Sequence, residues 1–119
     1  MLYIGVDFDG TVVEHKYPRV GKDVPYAVET LKKLSEKGYL LILNTMRSGE
    51  ELDDAVEWFK NREIPLYGIN NNPDQNNWTT SPKVWADLYI DDCGYGIPLI
   101  KTRGRSYVNW LKIKEDLIK

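Results

Sequence analysis

The apolar positions of this chain recur in two rhythms that alternate along its length. Leu2 to Val6 is a short apolar, β-favouring run that stops at Asp7, the pattern of a buried strand. Tyr39 to Leu43, Leu66 to Ile69 and Leu88 to Ile90 repeat it. Between these runs the spacing turns helical. From Asp23 to about Lys37, Val24, Val28, Leu31 and Leu34 fall near one face, with Asp23 placed as a cap and Gly38 just past the end. Ser48-Gly49-Glu50-Glu51 matches a capping box, followed by an apolar face of Leu52, Ala55, Val56 and Phe59. Ser81-Pro82 reads as a cap with proline at the first helical position. Pro98 to Ile100 reads as a last edge strand, and Tyr107 to Ile118 as a closing helix. Glu14 to Lys22 carries Pro18 and Gly21 and predicts an irregular loop or small hairpin. Asn70 to Asn77, with five Asn and one Pro, predicts a loop. Strands alternating with helices predict an α/β fold: a three-layer α/β/α sandwich around a mainly parallel, Rossmann-like sheet. No linker or repeat interrupts the pattern, so residues 1–119 are expected to form one domain.

Composition narrows the function classes. Apolar residues make up 42% and charged residues 29% of 119, ordinary globular usage and enough for a core without disulfide staples. Sixteen Lys and Arg against eighteen Asp and Glu give a formal charge of −2, which argues against a dedicated nucleic-acid binder. A single cysteine, Cys93, excludes an internal disulfide and a Cys-based zinc cage. A single histidine, His15, excludes His-rich metal sites and makes a Ser-His-Asp triad a poor fit. No apolar run approaches the ~20 residues of a membrane span, and Leu2 to Val6 meets Asp7 too soon for a signal-peptide core. The expectation is a soluble, cytoplasmic protein that does not engage a membrane, with Trp58, Trp85 and Trp110 in or beside the core.

In a parallel sheet, ligands bind beyond the carboxyl ends of the strands. The polar residues of this chain gather at those positions. Asp7-Phe8-Asp9-Gly10-Thr11 follows the first strand. Two carboxylates held that close raise a pKa or recruit a cation, and Gly10 permits a turn whose N–H groups converge on an anion. A plain strand-end Asp-Gly turn uses the same residues. Asn44-Thr45-Met46-Arg47 follows the second strand. The Thr45 hydroxyl and the next N–H, that of Met46, suit a phosphate oxygen, and Arg47 suits a charge-assisted contact; strand-end bonding with a solvated arginine is the alternative. Lys83, in the first turn of the helix expected after Ser81, breaks the dipole preference, and such breaks concentrate at functional sites; a frayed turn with Lys83 in water is equally compatible. Asp91-Asp92 follows the fourth strand. An acidic cluster without His or Cys ligands suits magnesium rather than zinc, although a strand-end Asx turn competes, chiefly for Asp92.

The order acid pair, Thr, Lys, acid pair resembles the haloacid dehalogenase-like superfamily of phosphohydrolases, from Leu2 to about Asp92. The resemblance implies that Asp7 is the nucleophile that becomes an aspartyl-phosphate. It implies that Asp9 is the general acid and base, and that Thr45 and Lys83 orient the phosphate. It further implies that Asp7, the Asp9 carbonyl and Asp91 bind Mg2+, with Asp92 in contact or linked through water. An Asp at position 9 implies phosphomonoester chemistry rather than dehalogenation or ion pumping. Members of the superfamily often carry a cap domain. Here only residues 12–22 and the segment between Arg47 and Lys83 are available, so a capless member is expected. Its small phosphorylated substrate would be gripped by the loop Val12 to Lys22, by Arg47, by the Asn-rich loop, or by a neighbouring subunit of a homo-oligomer. His15 lies in the loop over the expected site. A phosphatase of nucleic-acid ends, a pyrophosphatase or phosphoryl transferase, and a non-catalytic phosphate-binding module on the same fold remain open alternatives.

Overall fold

A computed structural model describes residues 2–119; Met1 lies outside the described residues. The chain runs β1 (Tyr3–Val6), α1 (Ala27–Glu36), β2 (Leu40–Leu43), α2 (Gly49–Asn61), β3 (Gly68–Ile69), a 3-10 helix (Pro73–Asn77), β4 (Leu88–Ile90), β5 (Leu99–Ile100), β6 (Tyr107–Val108) and α3 (Trp110–Leu117). The first four strands form one parallel sheet in the order β3-β2-β1-β4. β1 is therefore central, and the order reverses beside it, where β4 joins on its other side. That reversal is the position at which open α/β sheets bind ligands.

Side-chain alternation divides the sheet into two faces. Ile4, Val6, Leu41, Leu43 and Ile90 point into one buried cluster with Leu31 and Leu34 of α1, Ala55 and Phe59 of α2, and Trp110 and Ile113 of α3. Right-handed crossovers from β1 to β2 and from β2 to β3 place α1 and α2 on the same side, and α3 packs beside α1. The opposite face carries Tyr3, Gly5, Ile42 and Tyr89. It is roofed by the 3-10 helix and its irregular flanks, a thinner third layer. Tyr3 and Tyr67 both donate to the Asp74 carboxylate of that roof, at 2.5 and 2.6 Å. Gly5 packs tightly: an added Cβ would lie 3.1 Å from the Tyr89 ring, which would have to shift.

Several elements differ from the sequence expectation, each for a local reason. Asp23 does not cap α1. Its carboxylate accepts from Trp58 Nε1 at 2.9 Å and from Arg62 at 2.8 and 2.9 Å, and the helix starts at Ala27 after a left-handed Tyr26. Ser48 stands at the N-cap of α2, but its side chain makes no cap bond. The Asn-rich stretch is not all loop: Asn72 Oδ1 accepts from Asp74 N at 3.0 Å and starts the 3-10 turn at Pro73. Ser81-Pro82 starts no helix, because the carbonyls of Ser81 and Lys83 are taken by the Gln75 amide. Residues 98–100 do not extend the main sheet; β5 pairs with β6 in a separate antiparallel ribbon. The closing helix accordingly begins at Trp110, capped by Asn109. Trp58 and Trp110 are buried, whereas Trp85 is exposed. Among the described residues, no helix is long and apolar enough to cross a membrane.

Candidate active site

The turn after β1 is built to present two carboxylates. Asp7 N donates to Ile90 O at 3.0 Å and Asn44 N to Val6 O at 2.8 Å, carrying the ladder one step past the strands. Phe8 then turns inward, packing against Trp58 and Phe59, so Asp7 and Asp9 both face the cleft. The Phe8 carbonyl accepts from Thr11 N and Val12 N at 3.1 and 3.0 Å, closing the turn. Gly10 sits at φ 79°, and an added Cβ there would lie 2.3 Å from Asp92 Oδ2. Position 10 thus requires glycine both for its backbone and for the close approach of the β4 loop. Buried Thr11 joins the two acidic loops: its hydroxyl donates to Asp7 Oδ2 and accepts from Asp92 N, both at 3.1 Å.

Burial, followed by the nearby Asp91 charge, pushes the Asp7 carboxyl up to about 8. Asp92 is raised too, chiefly by burial, and lies within hydrogen-bonding reach of Asp7. Asp91 Oδ1 accepts from Cys93 N at 2.8 Å in an Asx turn, and ligand atoms of Asp91, Asp92 and Cys93 lie within 4.8 Å of one another. Asp7 stands beside the Asp91–Asp92–Cys93 group rather than within it, and carboxylates so placed favour a proton or a cation among them. The oxygen donors of Asp7, Asp91 and Asp92, with the Asp9 carbonyl nearby in the chain, are of the type that holds a hard divalent cation. By donor type these oxygens fit magnesium. Cys93 adds a sulfur only at the exposed edge.

Asp9 is held differently. Its two oxygens accept from Arg47 Nε and Nη2, each at 2.8 Å. Nη1 donates to Pro18 O and Glu51 O at 3.2 and 3.1 Å, and Nη2 also to Arg19 O at 2.8 Å. All five guanidinium N–H groups are thereby used. The side chain is buried, with its Cζ 4.9 Å from the Phe8 ring centroid and 5.2 Å from that of Tyr17. Hydrogen bonding to Asp9 raises the Arg47 pKa still further. The expected phosphate contact from Arg47 is thus not what the structure shows: Arg47 clamps Asp9 and the loop Val12 to Lys22.

Thr45 N donates to Asn70 Oδ1 at 2.8 Å, and the Thr45 hydroxyl accepts from Arg47 N at 3.2 Å, leaving its proton for a ligand. The Met46 side chain is fully exposed at the cleft mouth. Lys83 is exposed and makes no ion pair among the described residues. Two contiguous clefts bring these groups together. One, about 450 Å³, holds Asp7, Asp9, His15, Tyr17, Met46, Arg47, Asp92 and Arg105. The other, about 590 Å³, holds Lys83 and Asn70, and both share Thr45 and Asp91. A third cleft, of about 600 Å³ between α2 and β3, is lined mainly by apolar side chains such as Val56, Phe59 and Ile64 and offers no comparable chemistry.

No known family profile matches this chain, and no curated protein does. The solved structure of a conserved protein coded by a locus of Bacteroides thetaiotaomicron matches at 44% identity and a TM-score of 0.80. The match covers 96% of this chain and 87% of that one. The chain belongs to the family of that conserved protein. In this member of the family, sequence reading missed residues that organise the site. Thr11 closes the Asp-x-Asp-Gly-Thr motif but has no role of its own in the sequence reading, and Asn70 carries no signal beyond its place in the Asn-rich loop. Gln75 holds the Lys83 segment, also accepting from Trp85 N at 2.8 Å. Arg105 comes from a hairpin distant in sequence.

Proposed function

We propose that the protein is a capless, magnesium-dependent phosphohydrolase acting through an aspartyl-phosphate on Asp7. The observation that carries this reading is the crowding of Asp7 with Asp91 and Asp92 opposite Thr45 and Lys83, at the switch point of a parallel sheet. The site residues also stand in the order that characterises the haloacid dehalogenase-like phosphohydrolases. Asp7, Asp91, Asp92 and the Asp9 carbonyl would hold Mg2+, which when bound offsets the repulsion between the Asp7 carboxylate and an anionic phosphate. The Asp7 carboxylate attacks phosphorus and the leaving oxygen departs. Lys83 and the Thr45 hydroxyl bind and orient the phosphate oxygens, with the Met46 N–H beside them. Asp9 handles the proton. Once one of its oxygens is released by Arg47, a protonated Asp9 gives its proton to the leaving oxygen and then takes one from the water that attacks phosphorus, breaking the Asp7–phosphate bond and releasing inorganic phosphate. The loop Val12 to Lys22, with Tyr17 and His15, forms the near wall of the substrate cleft. A cytoplasmic location, a small phosphorylated substrate and a homo-oligomer covering the open cleft belong to the same proposal.

The test is hydrolysis of an aryl phosphate. Turnover should vanish in chelator and return with magnesium, and Asp7→Asn should fall to background while remaining folded. Full turnover in chelator, or an active Asp7→Asn, refutes the proposal.

A further inference from the structure

We propose that the β5–β6 hairpin receives a second phosphate-type anion on the substrate's leaving group, with Arg105 as its principal contact; this rests on the phosphohydrolase reading above. The hairpin tip, Lys101-Thr102-Arg103-Gly104-Arg105-Ser106, carries three cations, and no acidic residue occurs from Cys93 to Lys114. The tip is internally braced, since the Thr102 hydroxyl accepts from Gly104 N at 3.1 Å and donates to Arg105 O at 3.2 Å. Its base is fixed to the turn that carries both catalytic carboxylates. Val108 N donates to Gly10 O at 3.2 Å, and Trp110 Nε1 donates to Thr11 O at 2.6 Å. The hairpin therefore stands at a set position beside Asp7 and Asp9.

The two arginines of the cleft are in opposite conditions. Arg47 is buried with every donor used and its charge neutralised by Asp9. Arg105 lines the same cleft with its side chain 53% exposed, and its contacts are loose: Asp92 Oδ2 at 3.7 Å and Cys93 Sγ at 3.9 Å. Its guanidinium retains free donors in the planar fork that matches a phosphate edge. Lys83 and Thr45 share the neighbouring cleft, where the transferred phosphate would be oriented, while Arg105 lines the cleft that holds His15 and Tyr17. Four carboxylates line this site, so a polyanionic substrate needs a cation beyond those already neutralised, and Arg105 supplies it. Two sources share this chemistry: a small bisphosphate, or the phosphodiester next to a phosphorylated oligonucleotide end.

The experiment compares kcat/KM in magnesium for fructose 6-phosphate against fructose 1,6-bisphosphate, and for a nucleoside monophosphate against a short oligonucleotide with the same terminal phosphate. 4-Nitrophenyl phosphate serves as the reference for turnover. The second anion should raise kcat/KM roughly tenfold, mostly through KM, the size expected of a charge-assisted contact near water. Arg105→Gln should bring that ratio toward one, Arg105→Lys should keep part of it, and added salt should shrink it. A gain confined to the sugar bisphosphate assigns the small-molecule source, and one confined to the oligonucleotide assigns the nucleic-acid source. Hydrolysis of the aryl ester with no gain from a second anion, or a gain that survives Arg105→Gln, overturns the inference alone. Hydrolysis of no ester overturns the phosphohydrolase reading and the inference with it.

Discussion

Replacing Arg47 with methionine keeps the bulk of the side chain and removes its charge and all five donors. The ion pair with Asp9 is almost fully withdrawn from water, at 1% and 13% side-chain exposure. Breaking such a pair leaves an uncompensated carboxylate and costs about 3–5 kcal/mol. The loss of bonds to three carbonyls adds less, because water reaches the partly exposed loop. At roughly 2.1 cal/mol/K per residue of unfolding entropy, each kcal/mol corresponds to about 4 °C here. Arg47→Met should therefore lower the melting temperature by about 12–20 °C. Asp9→Asn should rescue part of that loss in the double mutant, with a coupling of about 2–3 kcal/mol, since the two side chains are in direct contact. Trypsin should also cut faster after Lys16 or Arg19, because Arg47 holds the Pro18 and Arg19 carbonyls. Thermal denaturation of the four proteins of the cycle, with limited proteolysis, measures both effects. A loss below about 1 kcal/mol with an unchanged cleavage rate would refute the clamp.

Two further outcomes follow from the acidic cluster. The folded, metal-free protein holds a proton on Asp7 up to about pH 8, whereas the unfolded chain releases it near 3.8. Stability should therefore fall as pH rises between those values and level off above the upper one. Asp7→Asn should flatten that slope in chelator, and magnesium should displace nearly one proton at pH 7 and about half of one at pH 8; parallel melting curves for the two proteins, or metal binding without proton release, count against it. Gly10→Ala should destabilise by about 1–3 kcal/mol through its positive φ alone. It should also weaken magnesium binding by displacing Asp92, which calorimetry would detect; unchanged affinity would show that Asp92 is not needed at the metal.

The legible parts of this molecule were those in which neighbouring residues decide the outcome. An apolar run ending in Asp7-Phe8-Asp9-Gly10 announces a strand, a turn and a pair of carboxylates facing one cleft within nine positions, and the structure has all three. Arg47 was visible as a cation at a strand end, but its partner lies 38 residues away, and nothing local says whether an arginine meets a ligand or an aspartate. The same holds for Asp23, which has the right residue type for a cap but is claimed by Trp58 and Arg62. Ser81-Pro82 misled because the competing hydrogen bonds come from Gln75, a side chain with no local signature. The β5–β6 ribbon was half seen: Pro98 to Ile100 read correctly as extended, while Tyr107-Val108 was absorbed into the apolar rhythm of the helix that follows. Lys101, Arg103 and Arg105 are cations close together in the chain, but their place beside the cleft depends on that pairing.

The roof over the second face of the sheet has a consequence for motion. Asp7 follows β1, which is paired on both sides, and Asp91 and Asp92 follow β4, which is paired with β1, so moving any of the three requires breaking bonds of the sheet. Lys83 hangs from the Gln75 side chain, with one weak turn bond to Ser81 Oγ at 3.2 Å. Val84 O accepts from the Tyr89 hydroxyl at 2.5 Å and Trp85 O from Asn72 Nδ2 at 3.0 Å, so rotation of that glutamine frees only the stretch from Ser81 to Lys83. The anionic half of the cleft is therefore stiff and the cationic half adjustable. Under the proposed phosphohydrolase reading, phosphate esters of different shapes would meet a fixed point of attack and a lysine that follows them.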